Sequence, residues 1–142
     1  VRMPAEERLG TTLKRAVDAL NTAKQAAVKP SGLTVPQYSA LLFLADNPGI
    51  SAAALARLCM VTPQTMTTIL QNLESAGMIV RTPHRWHRNM LETRLTEAGQ
   101  VAFDKADERA VAVERGLAGE YTEDELATLR ALLERCTAAL SE

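Results

Sequence analysis

The stretch VTPQTMTTILQNLESAGMIVRTPHRWHRN, Val61 to Asn89, decides how the rest of the chain is read. Its first half predicts a helix with clear ends: Thr62 followed by Pro63 is an N-cap with proline at the first helical position, and Gly77 is a C-terminal stop. The helix is rich in threonine, a mediocre helix former, at Thr62, Thr65, Thr67 and Thr68. At about 100° per residue, Met66, Ile69, Leu70 and Leu73 share one face, while Gln64, Thr68, Gln71 and Ser75 share the other. Thr65, Thr67 and Asn72 flank the polar face, which carries no charge. A merely solvated face of this size would usually hold lysine and glutamate. Glutamine and asparagine can instead bond adenine through two hydrogen bonds, and threonine offers a hydroxyl and a methyl to base edges.

Outward from this helix, Ser51 caps a short alanine-rich helix ending near Leu58, and the turn at Cys59 to Thr62 is compact. The pair reads as a helix-turn-helix whose second member is the recognition helix. After it, Met78 to Arg81 and Met90 to Leu95 predict two short strands around a polar turn, with Leu91 and Thr93 alternating against Glu92 and Arg94. Such a hairpin is a wing. Arg57, Arg81, Arg85, Arg88 and Arg94, with Trp86 and His87, are candidates for phosphate or minor-groove contact. His84 and His87 could suggest a metal pair, but a loop tip without a third ligand favours plain surface histidines.

On the N-terminal side, Leu33 and Thr34 open a helix that runs to about Ala45, with Gln37 completing a capping box. A helix from Pro4 to about Val28 precedes it, its apolar seam formed by Leu9, Leu13, Ala16, Leu20, Ala23 and Ala27. On the C-terminal side, a long helix follows Thr96 to about Leu117, and a last one starts at the capping box Thr122 to Glu125. Its seam is Leu126, Leu129, Leu133, Cys136 and Leu140. These terminal seams want partner helices, and a second copy of the chain is the simplest partner. The expected architecture is mainly α with a small β-wing: one domain over residues 1–142, winged over 33–99, with dimerisation helices at 4–28 and 97–141.

Composition agrees. Apolar residues make up 46% and aromatics 4%, which favours helices over a sandwich. Net charge is only −1, but residues 101–142 hold five basic and ten acidic side chains, so a polyanion should meet the middle of the chain. Cys59 and Cys136 form neither a metal spacing nor a disulfide framework, and both read as buried rather than redox-active. No apolar run approaches the ~20 residues of a membrane span, and a soluble, cytoplasmic protein without cofactor or metal is expected.

The run LTVPQYSALLFLADNPGISAAALARLCMVTPQTMTTILQNLESAGMIVR, followed by a wing and RLTEAG, resembles the MarR family of winged-helix transcriptional regulators. The resemblance implies a homodimeric repressor on an inverted-repeat operator of double-stranded DNA, released by a small lipophilic or phenolic effector. Tyr38, Leu42 and Phe43 are candidates for lining the effector pocket. The chain also departs from the family pattern. Family wings often pair an aspartate with the tip arginine; here His87 precedes Arg88, so the wing must be braced differently. Two rival readings remain. An enzyme lacks any phosphate loop, nucleophile elbow, HExxH run or paired carboxylates. A helical protein-protein interaction module with a degenerate winged helix would use the terminal seams alone.

Overall fold

The computed structural model describes residues 1–87 and 89–141. A 3-10 turn at Ala5–Glu7 precedes α1 (Leu9–Val28), and the order continues α2 (Val35–Asp46), α3 (Ala52–Cys59), α4 (Pro63–Ser75), β1 (Ile79–Pro83), β2 (Leu91–Leu95), α5 (Glu97–Ala118) and α6 (Glu123–Leu140). The fold is thus mainly helical with a two-stranded antiparallel wing. None of its helices, among the described residues, is long and apolar enough to cross a membrane.

Local side-chain chemistry sets most of the ends. Thr34 and Gln37 form the reciprocal capping box of α2, and Thr122 and Glu125 that of α6. Ser51 accepts from the N–H of Ala54, and Thr62 from that of Thr65. α4 ends where Gly77 turns left-handed at φ 74°, with Gly77 N–H donating to Glu74 and Met78 N–H to Leu73, which satisfies carbonyls of the last turn. α1 starts at Leu9 rather than at the expected Pro4, because Arg8 is extended and separates it from the 3-10 turn. β1 runs on to Pro83, beyond the expected Arg81, paired as Ile79↔Leu95 through Pro83↔Leu91.

The core lies under the wing base. Leu41 and Leu44 of α2, Leu55 of α3, Met66, Leu70 and Leu73 of α4, and Ile79 of β1 are buried together with Phe103 and Ala106 of α5. Two backbone contacts tie the wing to this core. Gly49, left-handed at φ 84°, donates to the carbonyl of Thr93 at 3.0 Å, and Thr93 N–H returns a bond to Ile50 at 3.3 Å. At the other end of β2, the hydroxyl of Thr96 donates to the Gly77 carbonyl and accepts from the N–H of Gly99. A Cβ on Gly99 would collide with the backbone of Met78, so glycine is what lets α5 approach the first strand.

Chain contacts divide the molecule into two compact units, Val1–Ala110 and the segment from Val111 onward. Every buried core residue belongs to the first. In the second, none of the residues of α6 is buried.

Candidate nucleic-acid interface

α4 presents the face its sequence predicts. Met66, Ile69, Leu70 and Leu73 are buried, and Gln64, Thr65, Thr67, Thr68, Gln71 and Asn72 are all exposed. The threonine hydroxyls are already partly used. Thr67 donates to the carbonyl of Pro63 at 2.9 Å, Thr68 to that of Gln64 at 3.3 Å, and Thr62 to the hydroxyl of Thr65 at 3.0 Å. The protons of Thr62, Thr67 and Thr68 are thus spent locally, which leaves their methyl groups and acceptor lone pairs for an outside partner. The side-chain amides of Gln64, Gln71 and Asn72 are exposed on this face, and they are the groups suited to paired hydrogen bonds with adenine.

The turn into α4 is unusually tight. Met60 adopts a left-handed conformation at φ 56° without being glycine, and Met60 and Val61 donate back to Arg57 and Ala56 to close α3. Cys59 in this turn is half-buried, and burial pushes its thiol above the ordinary range. Both cysteines were expected to be buried; Cys59 and Cys136 are each only half-buried, because Cys59 lies in the turn before α4 and Cys136 on the partly covered seam of α6.

The arginines divide into two groups. Arg81 lies against Glu74 at 3.4 Å with its side chain largely covered, so it clamps the wing base to the end of α4. Arg94 pairs with Glu92 at 3.1 Å and packs over Gly49. Arg57 and Arg85, by contrast, are exposed and show no ion pair among the described residues. The Arg85 guanidinium lies 5.1 Å from the centroid of Trp86, whose ring is 75% exposed. His87 is exposed beside them; Arg88 lies outside the described residues. Glu74 and Glu92 neutralise half of the described arginine set, a role the sequence reading did not give them, although Glu92 stands two residues from Arg94 and therefore on the same face of its strand.

Tyr38 is buried: its hydroxyl donates to Asp107 at 2.6 Å and its ring stacks on Phe103 at 5.9 Å. Leu42 and Phe43 are half-buried against the same core. Along α1, Leu9 is exposed and Leu13 and Leu20 are half-buried; along α6, Leu126 and Leu129 are half-buried and Leu133 and Leu140 exposed.

Relatives agree with this architecture. The sequence model of the MarR family matches residues 31–88, across the helix-turn-helix and most of the wing. The HTH-type transcriptional repressor Rv2887 of Mycobacterium tuberculosis is 33% identical over 127 residues, covering 89% of this chain and 91% of the repressor. The chain belongs to the MarR family. Among solved MarR-family structures, Rv2887 in complex with salicylic acid superposes with a TM-score of 0.69 at 32% identity, over 91% of this chain and 96% of that one. Rv2887 in complex with DNA does so with a TM-score of 0.69 at 31% identity, over 91% and 97%. The transcriptional repressor CouR bound to a 23-mer DNA duplex gives a TM-score of 0.84 at 27% identity, over 96% and 99%. As a MarR-family protein the chain is a sequence-specific DNA-binding transcriptional regulator and not an enzyme.

Proposed function

We propose that the chain acts as a homodimeric repressor on an inverted repeat, with the polar face of α4 in the major groove and the wing on the adjacent backbone or minor groove. The observation that carries this reading is the uncharged, exposed amide and hydroxyl face of α4 backed by a fully buried apolar face. Gln64, Gln71 and Asn72 would read bases, with Thr62, Thr65, Thr67 and Thr68 supplying methyl and acceptor contacts. Arg57, Arg85, Trp86, His87 and Arg88 would meet the backbone, while Arg81 and Arg94 would do so only by sharing charge with Glu74 and Glu92. So few free cations predict a shallow dependence of affinity on salt.

Dimerisation is supported by the seams of α1 and α6, which are only partly covered within one chain and leave Leu9, Leu133 and Leu140 exposed. A dimer would place two recognition helices about 34 to 36 Å apart, one helical turn of DNA. The division into a winged part at 33–99 and dimerisation parts at 4–28 and 97–141 follows from this reading.

An effector belongs to the same proposal. Because Rv2887 has been solved with salicylic acid, a small aromatic, lipophilic or phenolic molecule is the chemistry to test first. It would release DNA only by binding the two spacings of the readers unequally. Leu42 and Phe43 offer partly open apolar surface for it, and Tyr38 could join only by giving up Asp107.

The test is selection of genomic fragments by the purified protein, followed by binding of Gln64→Ala with Gln71→Ala to the enriched site. Each lost bidentate contact should cost about 1 to 3 kcal/mol. Unchanged affinity of the double variant would remove α4 from the reading role.

A further inference from the structure

The wing tip reads HRWHRNM, residues 84–90, a segment without glycine, aspartate or glutamate. The two strands are closed at this end by His84 N–H donating to Met90 at 2.7 Å and by Met90 N–H donating to His87 at 2.8 Å. Two further N–H groups of the tip, those of Trp86 and His87, are bonded to a side chain. Both donate to one atom: Nδ1 of His84, at 3.0 Å from Trp86 and 3.1 Å from His87. The imidazole thus performs the service that asparagine or aspartate gives in an Asx-turn, accepting from the backbone two and three residues ahead.

An imidazole nitrogen that accepts two N–H bonds carries no hydrogen, so the ring's proton sits on Nε2. Nε2 faces Glu92 Oε1 at 3.4 Å. The second oxygen of Glu92 holds Arg94 at 3.1 Å, and Arg94 in turn lies over Gly49, where an added Cβ would stand 2.9 Å from its guanidinium. A continuous polar chain therefore runs from the wing tip through His84, Glu92 and Arg94 to the turn after α2. Both ring nitrogens of His84 are committed within it, which also removes His84 from any pairing with His87 around a metal.

We propose that His84 is the positioning residue of the wing: it sets the tip backbone from which Arg85, Trp86 and His87 are presented. Its ring nitrogen is the acceptor for the tip backbone, which no carboxylate within residues 84–90 could supply. Its role in DNA binding rests on the reading above that the wing meets DNA, whereas its role in shaping the tip does not.

The two ring nitrogens can be tested apart on the full chain. His84→Asn keeps an acceptor close to the place of Nδ1, His84→Gln keeps an amide donor close to the place of Nε2, and His84→Ala keeps neither. Hydrogen exchange of the Trp86 and His87 amides, followed by NMR, reads the brace; affinity for a genomic fragment selected by the unaltered protein reads its consequence. Exchange at Leu70 and Leu73 serves as the control for an intact core. Loss of the shared acceptor should speed exchange of both tip amides by about tenfold in His84→Ala and His84→Gln, with His84→Asn within about twofold of the original. DNA affinity should follow the same order. In the unaltered protein, long-range proton–nitrogen spectra should show the Nε2–H tautomer. Unchanged tip exchange in His84→Ala, or failure of asparagine to restore it, would overturn the proposal. Exchange that follows the expected order while affinity stays flat in all three variants would uphold the brace and take the wing out of the DNA interface.

Discussion

α4 and α6 carry comparable apolar stripes, yet one is sealed and the other is not. In α4, Met66, Ile69, Leu70 and Leu73 vanish beneath α2, α3 and β1. In α6, Leu126 and Leu129 are half-covered, Leu133 is 44% exposed and Leu140 83%. Both helices are well capped, so the difference is not one of helix quality. Periodicity says that a face requires a partner; it does not say whether the partner is in the same chain. The stripe of α4 serves folding, and that of α6 is the one the proposed dimer would use.

Damage to each stripe in turn should make a different property fail. Leu70→Ala removes a fully buried side chain and should cost about 2 to 5 kcal/mol, lowering the denaturation midpoint of the winged unit whatever the protein concentration. Leu129→Asp together with Leu133→Asp should leave that unit folded but make the protein monomeric by sedimentation. Affinity for an inverted repeat should then fall about 100-fold through loss of the linked second half-site. A dimer that survived this change would show that α6 is not the assembly face.

The smallest effect concerns Thr93, whose side chain is fully buried with its hydroxyl oxygen unpartnered among the described residues. Thr93→Val removes that polar atom at nearly constant shape and should raise stability by up to about 1 kcal/mol, seen as a higher melting temperature. A lower one would mean that the hydroxyl has a partner after all, and that the winged unit is as tightly satisfied as its apolar packing suggests.

Much of this was legible in advance because it is local. Caps at Thr34, Ser51, Thr62 and Thr122 act across three residues, and the stop at Gly77 across one turn, so the sequence alone displays them. The same holds for the buried and exposed faces of α4. The start of α1 lies five residues beyond the expected Pro4, in step with the apolar seam, which begins at Leu9 and has no member from Pro4 to Arg8. What stayed hidden depends on distance in the chain. Tyr38 bonds Asp107 69 residues away, and no pattern in either segment announces that contact. Arg81 looked like a free cation until the fold brought Glu74 beside it. The spacing of His84 before Trp86 and His87 did hold a clue, since acceptance two and three residues ahead is ordinary turn chemistry, but it is usually sought in asparagine and aspartate.

Trp86 is the sole tryptophan of the chain, and it stands in solvent at the wing tip instead of in the core. Its emission should therefore be red-shifted already in the native state and change little on denaturation. An unfolding curve followed by tryptophan fluorescence would look flat for a protein that is melting cooperatively, while the same signal should respond strongly to a polyanion docking at the wing. Trp86 is thus an optical probe of binding and nearly blind to folding.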